Sequence, residues 1–107
     1  MTKEYIQVFV TTEKREDAEK IAGMLVRNRM AGCTQIVGPI VSQYWWKGNI
    51  EKAQEWLCFI KTKKNLYDKI ENMVKEIHPY ETPEIIALPI VDGSKEYFKW
   101  LDDEVKD

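Results

Sequence analysis

Polar and apolar side chains alternate along the start of the chain. In "EYIQVFVTT", Ile6, Val8 and Val10 share one side, and Tyr5, Gln7 and Phe9 the other. That period of two predicts a strand with both faces partly covered. The period then changes: Ala18, Ile21, Ala22, Leu25 and Val26 form a helical stripe, which predicts a helix from about Glu13 to Met30. Thr12 is its candidate N-cap, Glu13, Glu16 and Asp17 complement its first turn, and Gly32 is its candidate positive-φ C′ residue.

"CTQIVGPIVSQYWW" is β-branched and aromatic with no helical stripe. It predicts a long strand broken at Gly38-Pro39, and a proline there implies an edge or a bulge. "KGN" at Lys47–Asn49 is a turn signal, and "AQEWLCFIKT" returns as the second arm of a hairpin. From Asn65, a candidate N-cap, the helical period resumes through Leu66, Ile70, Met73, Val74 and Ile77. It stops at His78, because Pro79 disfavours helical geometry in the residue before it. "EIIALPIV" is a fourth strand, again edge-like because of Pro89, and Ser94 caps a short final helix with Tyr97, Phe98 and Leu101 as its apolar contacts.

The order β-α-β-β-α-β plus a terminal helix predicts one α+β domain over residues 1–107: a ferredoxin-like antiparallel sheet with two helices on one face. Those helices leave the second face of the first and third strands bare. The aromatic run Tyr44–Trp46 lies near the hairpin tip, and Trp56 and Trp100 add more apolar surface. Either the short terminal helix folds over this face, or copies of the chain cover one another. The residues leave the number of copies open between two and three.

Composition removes several function classes. Sixteen basic and 18 acidic residues are interspersed, for a net charge of −2. That lacks the basic stripe of a nucleic-acid or anionic-membrane binder. "WLCFIKTK" also lacks the glycine-aromatic pattern of an RNA-recognition strand. No apolar run reaches the ~20 residues of a membrane span, and the first ten residues lack a signal-peptide pattern. The expected compartment is the cytoplasm, where Cys33 and Cys58 are expected as free thiols. Neither phosphate-binding glycine loop is present, and no nucleophile is paired with the one histidine, so no enzyme activity is expected.

"AGC" at Ala31, "S-x-Y-x-W-x-G" from Ser42 to Gly48, Glu55, Lys61-Thr62, "HPYETPEI" from His78 and "YFKWL" from Tyr97 together resemble the CutA family of divalent-cation tolerance proteins. The resemblance covers nearly the whole chain. It implies a ferredoxin-like subunit in a homotrimer, a role in tolerance of or response to divalent metals, and copper binding as in some members.

His78 has two readings. It ends a helix, or it offers a nitrogen to copper or zinc. One histidine does not make a tight site, so a subunit interface would have to add Cys33, Glu81 or Glu84, or repeat His78 about an axis. Lys61 is either a solvated strand end or the cationic wall of an intersubunit cleft that faces Tyr80 and Glu84. Trp46 and Glu55 are further candidates for that cleft, which would take a small anion. The metal set is thus His78, Cys33 and Glu84; the cleft set is Trp46, Glu55, Lys61, Tyr80 and Glu81. The alternative is a metal-independent trimer, similar in architecture to PII signalling proteins, that senses a small molecule or binds a partner protein.

Overall fold

The computed structural model describes residues 4–106, so residues 1–3 and 107 of the predicted domain lie outside the described residues. The order is β1 (Tyr5–Thr12), α1 (Arg15–Arg27), β2 (Cys33–Trp46), β3 (Asn49–Lys63), a single 3-10 turn (Lys64–Leu66), α2 (Tyr67–Ile77), β4 (Ile85–Pro89) and α3 (Lys95–Glu104). The four strands form one antiparallel sheet in the order β2-β3-β1-β4. The predicted α+β architecture is present. Both strands that carry a proline, Pro39 within β2 and Pro89 at the end of β4, lie at the edges, where a missing N–H costs no ladder bond.

One face of the sheet and two helices make the core. Ile6, Val8 and Val10 of β1 and Cys58 and Ile60 of β3 pack with Ala18, Ile21 and Leu25 of α1 and Ile70 and Val74 of α2. At roughly 1.5–3 kcal/mol for each large side chain fully withdrawn from water, this cluster is the main stabilising term. The Gly38-Pro39 break is a bulge, where the β2–β3 register shifts between Val37 and Ile40. At the hairpin tip Lys47 and Gly48 both have positive φ, the backbone of a two-residue type I′ turn.

Three helix boundaries differ from the sequence expectation. α1 begins after Lys14, and Thr12 donates its hydroxyl to the Lys14 carbonyl at 2.8 Å instead of capping an N–H. At its C-terminus the positive-φ residue is Arg29, not Gly32. The Arg29 N–H bonds to the Val26 carbonyl and the Met30 N–H to the Leu25 carbonyl, which is a Schellman motif. α2 starts at Tyr67, so Asn65 falls inside the 3-10 turn and caps nothing. Ser94 does cap α3, accepting from the Tyr97 N–H at 3.2 Å.

The second sheet face is only partly covered. α3 packs at one end of it: Phe98 stacks on Tyr5 with ring centroids 4.2 Å apart, and Leu101 is fully buried. Gly32 permits this approach, since a Cβ there would lie 2.5 Å from Leu101 Cδ1. The Tyr5 hydroxyl donates to both carboxylate oxygens of Asp102, at 3.1 and 3.0 Å, and Lys63 Nζ lies 3.7 Å from the same group. Beyond α3 the face is open. Phe9 meets Phe59 edge-on there, and Val37, Ile86 and Leu88 are each close to half exposed. The terminal helix therefore does not cover this face alone.

Candidate functional site

β3 has 15 residues and β1 has 8, so the β2–β3 hairpin overhangs the end of β1. The segment that follows α2, residues 78–84, lies in the angle this leaves. Together they enclose a groove of about 790 Å³, lined by Ser42–Trp46 of β2, Glu55 of β3, Thr11 of β1 and residues 79–84.

The loop is anchored by His78. Its N–H closes the last turn of α2 on the Val74 carbonyl at 2.9 Å, and its backbone then turns extended, as Pro79 demands. The imidazole is buried, 8% exposed. Nε2 lies 2.7 Å from the Thr11 carbonyl, and Nδ1 accepts the Tyr80 N–H at 3.1 Å. An Nδ1 that accepts must be unprotonated, so Nε2 carries the proton and donates to Thr11. Both ring nitrogens are engaged, and neither is free for a metal while those bonds hold.

Next to it the Tyr80 hydroxyl donates to Glu55 Oε2 at 2.8 Å. Glu55 is 5% exposed, a carboxylate nearly withdrawn from water. Burial, then the bond to Glu55 and its charge, push the Tyr80 phenol well above its ordinary pKa, with Glu13 and Tyr44 adding smaller effects. The phenol therefore stays protonated and remains a donor at neutral pH. Glu84 is an exposed residue, and partial desolvation of its carboxyl against the groove, then the charge of Glu55, raises it above the ordinary glutamate value. Lys47 stands at the rim, 3.8 Å from Glu81 and 5.6 Å from the centre of the Trp46 ring, with both charged side chains well solvated. The groove is thus acidic: Glu55, Glu81 and Glu84 line it.

Five of the predicted site residues meet in this groove: Trp46, Glu55, Tyr80, Glu81 and Glu84. His78 lies beneath it, its ring 4.8 Å from that of Tyr80. Cys33 and Lys61 do not join them. Cys33 pairs with Lys61, and Lys61 with Gln7. That is four residues along β1 from Thr11, about 13 Å at the rise of a strand. The predicted metal set His78, Cys33 and Glu84 is therefore not assembled within one chain, and among the described residues no group of three His, Cys, Asp or Glu side chains is placed to hold a metal ion. Within one chain Lys61 bonds to Gln35 on the open sheet face, away from this groove. Both cysteines are free, and burial pushes the Cys58 thiol up to about 11. Ser42 and Tyr44, which share a motif with Trp46 but are not among the predicted site residues, also line the groove. Their period-two alternation was the available signal.

A larger groove of about 920 Å³ lies elsewhere, lined by Tyr5, Tyr67, Pro89, Val91 and Phe98 among others, and holds none of the predicted site residues.

A family model described as the CutA1 divalent ion tolerance protein matches residues 6–104. The chain belongs to this family. CutA relatives match over most of its length. The divalent-cation tolerance protein CutA of Thermus thermophilus is 43% identical over 94 residues, 88% of this chain and 91% of the relative. The chloroplastic CutA 1 of rice, Oryza sativa, is 38% identical over 95% of this chain but 58% of the relative. The chain thus spans little more than half of some curated CutA proteins and nearly all of others. Among solved structures, rice CutA1 superposes with a TM-score of 0.94 at 38% identity, covering 97% of this chain and 95% of that one. The CutA of Archaeoglobus fulgidus, which is called periplasmic, gives 0.92 at 37% identity, covering 95% and 99%. These CutA proteins carry different locations in their names. For this chain, no helix among the described residues is long and apolar enough to cross a membrane.

Proposed function

We propose that this CutA-family chain works in divalent-cation tolerance or response by weak binding of a cation in the acidic groove, as a homotrimer. The observation that carries the reading is geometric: the buried Glu55 lies in one groove with the exposed Glu84 and Glu81, and partial desolvation of the Glu84 carboxyl together with the Glu55 charge disfavours its ionisation. A divalent cation is the ligand that relieves both effects at once. The free donors in the groove are oxygens: carboxylates and the Ser42 and Thr82 hydroxyls. Such a set, without a free imidazole or thiolate, suits weak binding. Among first-row divalent ions Cu(II) binds most tightly to a given nitrogen or oxygen set, so it is the ion to test.

The trimer is supported by the half-exposed Val37, Ile86 and Leu88 on the open sheet face and by Val41, Trp45 and Ile50 exposed along the hairpin. The cytoplasm is the compartment we propose, and we propose no enzyme activity, no nucleic-acid partner and no membrane partner.

Calorimetric titration with Cu(II) tests the reading. Binding that Glu84→Gln and Glu55→Gln each weaken supports it, and binding unchanged in both variants rejects it. A second reading, a metal-independent sensor or scaffold, is favoured by the aromatic wall Tyr44, Trp45 and Trp46 of the same groove. A small cationic metabolite that raises the melting temperature, with no response to Cu(II), would select that reading.

A further inference from the structure

We propose that His78 is a positioning residue of the groove, a neutral two-armed bracket that holds the Tyr80–Glu84 loop against β1, and not a ligand. The inference rests on the cation reading above for its consequence, but the bracket stands on its own geometry.

Each arm does a different job. The Nε2 arm reaches the Thr11 carbonyl, 67 positions back in the chain, and ties the end of α2 to the sheet. The Nδ1 arm accepts the N–H of the residue two places on. That is the pattern by which an asparagine side chain folds its own backbone into a turn. It fixes the backbone at Tyr80, whose hydroxyl then meets Glu55 at 2.8 Å. The path from imidazole to groove carboxylate is therefore two hydrogen bonds and one tyrosine. The side chains of Pro79 and Pro83 stiffen the same loop, and Pro79 has no N–H with which to compete for the ring.

The two arms can be separated by substitution. His78→Asn places an acceptor near the Nδ1 position and abandons Thr11. His78→Gln places an amide near the Nε2 position and abandons the Tyr80 N–H. Each loses one hydrogen bond, so each serves as the stability control for the other. Because the chain has a single histidine, its ring nitrogens give isolated NMR signals.

Three readouts follow. In metal-free protein the Tyr80 amide exchanges slowly in wild type and in His78→Asn, and fast in His78→Gln. The ring 15N shifts show a protonated Nε2 and a bare Nδ1, and they stay in place when Zn(II), a diamagnetic probe, is added to saturation. Zn(II) affinity in His78→Asn is rescued to near wild type, while His78→Gln binds about fivefold more weakly, the equivalent of one net hydrogen bond. Movement of either ring nitrogen on Zn(II) binding makes His78 a ligand and overturns the proposal. Equally fast Tyr80 exchange in the two variants overturns it as well. If wild type binds no Zn(II) or Cu(II), the cation reading fails, and the amide-exchange comparison still decides the bracket.

Discussion

The Tyr80 hydroxyl donates to Glu55 Oε2 at 2.8 Å, joining the loop after α2 to the one buried carboxylate of the hairpin stem. A bond to a buried charge carries more than a neutral one, because an ionised acceptor left without its donor keeps its full desolvation cost. Tyr80→Phe is therefore expected to lower unfolding stability by about 2 kcal/mol. Glu55→Gln, which keeps an acceptor for the phenol and removes the charge, costs less. Urea unfolding of the two variants measures the difference.

Asp102 holds α3 on the sheet from the far end of the same face. Its two oxygens share the one Tyr5 hydroxyl proton, and it faces Lys63, whose side chain is only 4% exposed. Asp102→Ala removes the carboxylate from a buried ammonium and a phenol together. A loss of about 3 kcal/mol is expected, and Tyr5→Phe should cost about 1 kcal/mol. Thermal unfolding followed by near-ultraviolet circular dichroism reads both, since the Tyr5–Phe98 stack sits beside them.

Gly32 tests the packing of α3 from its other side. A methyl there would meet Leu101 Cδ1 at 2.5 Å and press on Trp100 and Val105. Gly32→Ala should destabilise by about 1–3 kcal/mol, the usual cost of overfilling a packed contact. Arg29→Gly, at the residue that does have positive φ, relieves the backbone but gives up the exposed 2.6 Å ion pair to Glu104, so its net effect on stability should be small. Equal effects at the two positions would show that Gly32 is not a packing glycine.

These two residues also show what could be read in advance. The strands and helices were legible because their periods of two and 3.6 are local, and the edges because prolines at 39 and 89 mark them. The Ser94 cap and the stop at His78 are likewise set within a few residues. Gly32 looked like a helix end because it follows a helical run and glycine favours positive φ. Its real neighbour is Leu101, 69 positions away, and no local rule finds that. The candidate site divides in the same way. "PYETPE" and Trp46 fall in one groove with Glu55, with His78 beneath it. The second arm of His78 depends on the Thr11 carbonyl, and the distance of Lys61 from the groove depends on the β1–β3 register. Both are tertiary facts.

Acidity gives a further expectation. The Glu84 carboxyl titrates higher in the folded protein than in the unfolded chain. Between those two values the folded state binds more protons, so this residue's contribution makes stability fall as pH rises through the window. Above the window the penalty is fully present; below the unfolded value it vanishes. Metal-free Glu84→Gln should therefore melt slightly higher than wild type near about pH 7 and match it near about pH 3. Melting curves across that range check the sign, and a lower melting temperature for the variant near neutrality would refute it.

Copies of the chain are expected to cover the open sheet face and the hairpin. Sedimentation equilibrium at micromolar concentration tests that directly. The predicted result is one dominant species of three times the 12.6 kDa chain mass. A stable, non-aggregating species at the mass of one chain would contradict it.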